Sequence, residues 1–128
     1  MSVGVVIGRF QVDELHEGHI KLLNYAKKNH DHMLVLLGVR PAPPSQEHPL
    51  GFELRQQMLK AYYPDATVLP VIDRSSDVAW SNQVDELIEI TFPPQEVVLY
   101  GGRDSFISHY LGRFPVKELT FDTGLTIG

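Results

Sequence analysis

The sequence predicts an α/β domain on an open, mainly parallel sheet of about five strands with helices on both faces. Three observations carry this expectation. Short β-branched apolar runs alternate with stretches of helical period, the pattern of successive βαβ units. The runs are apolar almost throughout rather than alternating, as strands covered on both faces should be. The chain of 128 residues, with 43% hydrophobic residues, has the length of one domain with a single core.

Taken in order, residues 3–7 form the first strand, and a helix over about 18–29 follows, with Leu22, Leu23 and Ala26 on its buried face. Residues 33–38 form the second strand. The stretch 40–49 contains four prolines in ten residues and can continue neither a helix nor a central strand, so a long loop is expected there. A loop of that length inside a compact domain is more often functional than accidental. The second helix, 52–62, places Leu54, Met58, Ala61 and Tyr62 at helical spacing, and residues 67–72 form the third strand. In the third helix Trp80, Val84, Leu87 and Ile88 fall at i, i+4, i+7 and i+8. A fourth strand at 97–100, a short fourth helix at 104–111 and a fifth strand at 116–121 complete a Rossmann-like order, β-α-β-α-β-α-β-α-β.

Composition excludes several classes of function. The net charge of −5, from 16 Asp+Glu against 11 Lys+Arg with no basic run, disfavours a broad nucleic-acid footprint or an anionic membrane surface. Phosphate binding must therefore be local. There is no cysteine, which removes disulfide frameworks, thiol nucleophiles and Cys-based zinc sites. No apolar stretch approaches the roughly 18 residues of a membrane helix, and the start, Met1 to Ile7, lacks the basic region of a signal peptide. A cytoplasmic location is the simplest expectation.

In an open parallel sheet ligands bind beyond the carboxyl ends of the strands, so the loops after residues 7, 38, 72 and 100 matter most. After the first strand comes Gly8-Arg9-Phe10-Gln11, then His16-Glu17-Gly18-His19 at the start of a helix. This is neither a G-x-G-x-x-G loop nor a Walker A loop. Two imidazoles around a glycine place N–H donors beside unpaired backbone amides at the positive end of a helix dipole, which is an anion site. Gly18 lets a phosphate come close, while Arg9 and Lys21 add positive charge. The plainer alternative makes His16 a helix cap and His19 a surface residue.

Gly8-Arg9-Phe10-Gln11 followed by His16-x-Gly18-His19 resembles the signature of the HxGH nucleotidylyltransferase superfamily. The GRFQ form resembles archaeal-type nicotinamide mononucleotide adenylyltransferases, and the resemblance extends over essentially the whole chain. It implies that His16 and His19 contact the triphosphate of ATP, assisted by Arg9 and Lys21, with Gly8, Phe10, Gln11 and Gly18 also at the nucleotide. It further implies direct attack of a mononucleotide phosphate on the α-phosphorus, release of pyrophosphate, and magnesium carried with the ATP. Such chemistry depends on positioning and charge neutralisation, not on a protein nucleophile.

Further loops extend the resemblance. Residues 49–55 look like the family segment in which a Glu-Arg pair opens the second helix, so that Arg55 faces the mononucleotide phosphate; the alternative is an ordinary helix-surface arginine. Residues 73–80 look like a loop with a tryptophan near the substrate base, which places Asp73 and Trp80 at the acceptor. Trp80 would stack on a nicotinamide ring, or belong to the core with Val84 and Leu87. Gly101, Gly102 and Asp104 correspond to an adenosine-contacting turn, where Asp104 or Ser105 would equally serve as a helix cap.

Two departures stand out. Four residues, Val12, Asp13, Glu14 and Leu15, separate Gln11 from His16, where the usual pattern has two; Asp13 and Glu14 are expected to face solvent rather than hold magnesium. The family also carries a Ser/Thr-x-x-Arg motif that holds the β- and γ-phosphates. Since the sequence stops at Thr126-Ile127-Gly128, the single domain at 1–128 is expected to lack that segment and to be weakened in activity. The leading expectation is adenylyl transfer to nicotinamide or nicotinate mononucleotide, a step of NAD biosynthesis. The alternatives are a cytidylyltransferase acting on a phosphorylated alcohol and a catalytically weak nucleotide-binding module. A metal hydrolase is disfavoured, because the two histidines lack a third ligand and an H-E-x-x-H spacing. A homo-oligomer is compatible with the exposed edges of such a sheet.

Overall fold

The computed structural model describes residues 1–12, 14–41, 51–103 and 105–120. Five strands, β1 (Ser2–Gly8), β2 (His32–Val39), β3 (Thr67–Ile72), β4 (Glu96–Gly101) and β5 (Val116–Glu118), form one parallel sheet in the order β3-β2-β1-β4-β5. The chain moves outward from β1 through β2 to β3, then returns to lay β4 on the other side of β1. The switch point at the carboxyl ends of β1 and β4 is where an open α/β sheet leaves a crevice.

The continuous apolar runs are explained by two cores, one on each face. Neighbouring residues divide between them: Val6, Val35 and Leu37 face α1 (Glu17–Asn29) and α2 (Phe52–Tyr62), where they meet Leu22, Leu23, Ala26, Leu59 and Tyr63. Val5, Ile7, Leu34 and Leu36 face the other way, toward Val84 and Ile88 of α3 (Asp77–Thr91) and Tyr110. Because side chains alternate in a strand, a strand with a core on each face must be apolar at every position.

The edges depart from that expectation. β3 carries an exposed Pro70 and an Ile72 that is 40% exposed, and β5 is buried at no position. A proline on an edge strand removes a donor that a foreign strand would otherwise pair with. β5 is also shorter than expected, ending at Glu118, and Phe121 lies outside the described residues.

The face of α2 is a clear correction. Leu54 is 57% exposed and Tyr62 41% exposed, with Ala61 exposed as well. The inward stripe is instead Phe52, Arg55, Leu59 and Tyr63, of which Arg55, Leu59 and Tyr63 are buried; of the four expected residues, Met58 does pack partly buried against the core. An arginine in the middle of that stripe hides it from a count of apolar residues.

α3 turns Val84 and Ile88 into the core as expected, with Trp80 and Leu87 at its margin. It also buries two polar residues, Ser81 and Asp85, whose partners lie in the segment after β4. The Tyr110 hydroxyl donates to Asp85 Oδ1 at 2.5 Å, Arg113 N donates to Asp85 Oδ2 at 3.1 Å, and Leu111 N donates to Ser81 Oγ at 2.8 Å. Burial and the hydrogen bond to Asp85 hold the Tyr110 phenol well above its ordinary pKa. The expected fourth helix is one turn of 3-10 helix, Phe106–His109, since this segment follows the contacts from α3 rather than a helical ladder of its own. No helix among the described residues is long and apolar enough to cross a membrane.

Candidate functional site

After β1 the chain turns through Phe10, whose φ of 49° lies in the left-handed region. For a non-glycine residue that conformation costs on the order of 1–3 kcal/mol and persists only where surrounding contacts determine it. Those contacts are present: Phe10 is 2% exposed, its carbonyl accepts from Val12 N at 2.8 Å, and its ring packs on His19 with centroids 5.1 Å apart. Asp13 lies outside the described residues, and Glu14 is exposed.

His16 is the exposed N-cap residue of α1, while His19 is buried at 5% exposure, so the alternative of a surface His19 is excluded. The His16 backbone N–H donates to His19 Nδ1 at 3.2 Å. An Nδ1 that accepts carries no proton, so in the neutral ring the proton sits on Nε2, which is left as a donor. Burial, and secondarily the nearby His16, hold the His19 pKa below its ordinary value and keep the ring neutral. Gly18 is buried in the first turn. Lys21 lies one turn on, paired with Glu17 Oε1 at 3.1 Å.

Arg9 leaves the same turn in another direction. Its Nη2 meets Asp73 Oδ2 at 2.8 Å, and its side chain crosses Gly38, where an added Cβ would stand 3.4 Å from it. Arg9, Asp73 and Gly38 border a cleft of about 730 Å³ beyond the carboxyl ends of β1, β2 and β3. Its far wall comes from α3 and the 3-10 turn: Asp77, Trp80, Phe106 and His109. Trp80 serves both readings, lining the cleft while packing on Phe106 at 6.2 Å between centroids. Asp77 Oδ1 and His109 Nδ1 are 3.3 Å apart at the rim.

Of the expected residues, the cleft gathers Gly8, Arg9, Asp73 and Trp80. His16, Gly18 and His19 stand together at the start of α1, outside its lining. Gln11 is partly buried. Gly101 and Gly102 are buried at the end of β4, where Ser105 Oγ and Phe106 crowd the space a Cβ would need at Gly101. Asp104 and residues 42–50 lie outside the described residues.

Arg55 is not the helix-surface arginine of the alternative reading, since it is only 3% exposed. Its Nη1 donates to the carbonyls of Arg9 at 2.7 Å and Gly38 at 2.9 Å, and its Nε to that of Gly51 at 3.4 Å. Burial, and then the charge of Arg9, lower its pKa, against which Asp73 acts. Arg74, Ser75, Asp77, Phe106 and His109 were missed as cleft residues. Their signal was positional: all follow β3 or β4, whose ends face the crevice.

Among the described residues no group of three or more His, Asp or Glu side chains converges as a metal site. The arrangement offers a neutral imidazole donor and the backbone amides of a helix start on one side, and an aromatic, charge-balanced cleft on the other. Together they suit an anionic group joined to a flat ring.

The profile of the cytidylyltransferase-like family matches residues 5–109. The fold is similar to that of a bifunctional NMN adenylyltransferase/ADP ribose pyrophosphatase from Francisella tularensis, solved with AMP and a manganese ion, at a TM-score of 0.80 and 18% identity over 97% of this chain. It is also similar to a NadR protein solved with NAD and AMP-PNP, at a TM-score of 0.72 and 18% identity over 92% of this chain. This chain spans 38% of the length of each of those two proteins. At such identity the likeness is one of fold.

Proposed function

The chain belongs to the cytidylyltransferase-like family of HxGH nucleotidylyltransferases, and from that premise we propose that it transfers the adenylyl group of ATP to the phosphate of a pyridine mononucleotide. The observation that carries this reading is the neutral His19, buried beside the first turn of α1 with its Nε2–H as a donor. A neutral donor serves a polyanion without titrating near neutral pH, and it sits among backbone amides that favour the same ligand.

In the proposed reaction an oxygen of the acceptor phosphate attacks the α-phosphorus of ATP. The bond from that phosphorus to the bridging oxygen of the β-phosphate breaks, and its electron pair leaves with pyrophosphate. The acceptor phosphate is already ionised at neutral pH, so no protein base is needed. His19 and His16 donate to phosphate oxygens, and Gly18 leaves room for their approach. Arg9, steered by Asp73, balances charge between the two substrates, with Lys21 assisting from α1. Gly8, Phe10 and Gln11 form the turn against the nucleotide, while Gly101 and Gly102 face the adenosine.

Magnesium bound to the triphosphate would neutralise charge on it, and it is proposed to arrive with ATP. Trp80 and Asp73 hold the acceptor; the aromatic wall of Trp80 and Phe106 supports a flat ring there. The two fold neighbours, solved with AMP and with NAD, agree with ligands of this class.

A cytidylyltransferase acting on a phosphorylated alcohol is the second reading, favoured by the name of the matching family. The test is pyrophosphate release with ATP or CTP, offered nicotinamide mononucleotide, nicotinate mononucleotide or a phosphorylated alcohol. Turnover is expected with ATP and a pyridine mononucleotide. Turnover confined to CTP and the alcohol would install the second reading, and nucleotide binding without turnover in any pair would leave a binding module.

A further inference from the structure

We infer that Arg55 is a positioning residue, which shapes the phosphate-binding turn from beneath by bridging the carbonyls of Arg9, Gly38 and Gly51 and does not touch the nucleotide. Its consequence for turnover rests on the reaction proposed above; its structural half rests on geometry alone. The three carbonyls come from three places: the turn after β1, the end of β2 and the N-cap of α2. One side chain therefore ties the N-cap of α2 to Arg9 and Gly38, two residues that line the cleft.

The first of those carbonyls belongs to the residue immediately before Phe10, the left-handed position. A conformation that a phenylalanine does not adopt by preference needs an external tie at its start, and Arg55 supplies one from a helix packed into the core. Turning Nη1 toward a phosphate would take it from the carbonyls of Arg9 and Gly38, in a side chain that is 3% exposed, and each would lose that donor. The planar fork is also specific. Nη1 serves the carbonyls of Arg9 and Gly38 while Nε serves that of Gly51; a lysine ammonium keeps the charge, but it is one donor atom on a flexible stem and cannot fill both places in a fixed plane.

The test compares wild type with Arg55→Lys and Arg55→Met by amide hydrogen exchange and by turnover. The reporter is the Val12 amide, which bonds the Phe10 carbonyl at 2.8 Å; the control is the Trp80 amide in α3, bonded to Ser76 O at 3.0 Å. In both variants the Val12 amide is expected to exchange at least about tenfold faster relative to the Trp80 amide. Activity is expected to fall by about a hundredfold or more in kcat, with lysine giving no rescue. A direct phosphate contact predicts the reverse: unchanged Val12 exchange, a raised KM for the nucleotide or acceptor, and substantial recovery with lysine. That result would overturn the inference. If the methionine variant does not fold cooperatively, the lysine variant decides. Should wild type turn over no nucleotide, the proposed reaction fails while Val12 exchange still decides the role of Arg55.

Discussion

The two sides of the site are built differently. On the β1–α1 side three groups belong to the core: Phe10, His19 and Arg55 are all 5% exposed or less, and each is held by a named contact, while His16 stays exposed at the N-cap of α1. On the opposite wall Asp77 and His109 stand at the rim with side chains 49% and 65% exposed, and Trp80 is only partly buried. Stabilising the charge that develops on a polyanion needs donors fixed in advance, and fixing them requires packing. Recognition of an acceptor ring needs only a surface of the right shape. Substitutions on the first side should therefore change stability and chemistry together, and those on the second should change binding with the fold intact.

The largest effect is expected from Arg55→Met, which takes a donor from the part-buried carbonyls of Arg9 and Gly38 and should lower unfolding free energy by about 2–4 kcal/mol, read by urea denaturation. Tyr110→Phe sharpens the comparison, because it removes the hydroxyl that donates to Asp85 and accepts from Phe114 N at 3.1 Å. It should cost about 1–3 kcal/mol with little change in turnover, since its network supports the wall from behind.

Acid should weaken the core-built side first. His19 and His30 both have pKa values held below the ordinary 6.5, by burial before any charge. The unfolded chain then binds more protons than the folded one, so their contribution is complete above about pH 6.5 and is lost as pH falls toward the folded values. Denaturation midpoints measured from pH 7.5 to 5 should decline below pH 6.5, and the slope should shrink in His30→Gln, which removes the ring that meets Tyr100 Oη at 2.6 Å. A midpoint that is flat through this range would contradict the neutral-histidine account.

The smallest effect belongs to the rim. His109→Ala removes an exposed polar contact with Asp77 and should change stability by no more than about 0.5 kcal/mol, while the acceptor KM changes several-fold at constant nucleotide KM. A loss of stability equal to that of Tyr110→Phe would erase the contrast between the two sides.

The sheet was legible because each central strand feeds two cores, which forces apolar residues at every position, and β1 to β4 fall within two residues of their expected ends. The α2 face was not legible, since periodicity of apolar residues passes over an arginine that buries itself for carbonyls. The histidines and the glycine between them were visible as a local pattern at a helix start. The Arg9–Asp73 pair, 64 residues apart, was named only as two separate residues; their contact depends on β1 and β3 ending on the same side of the sheet. The rim residues Asp77 and His109 carry no motif of their own, and only the topology brings them together.

The most direct test of the central claim is pyrophosphate release from ATP in the presence of a pyridine mononucleotide, compared between wild type and His19→Ala. The account predicts turnover by wild type and a loss of about 10²–10³-fold in kcat on removing the imidazole donor, with a cooperatively folded variant. Undiminished turnover by His19→Ala would contradict it, because the neutral imidazole at the start of α1 would then have no part in receiving the phosphates.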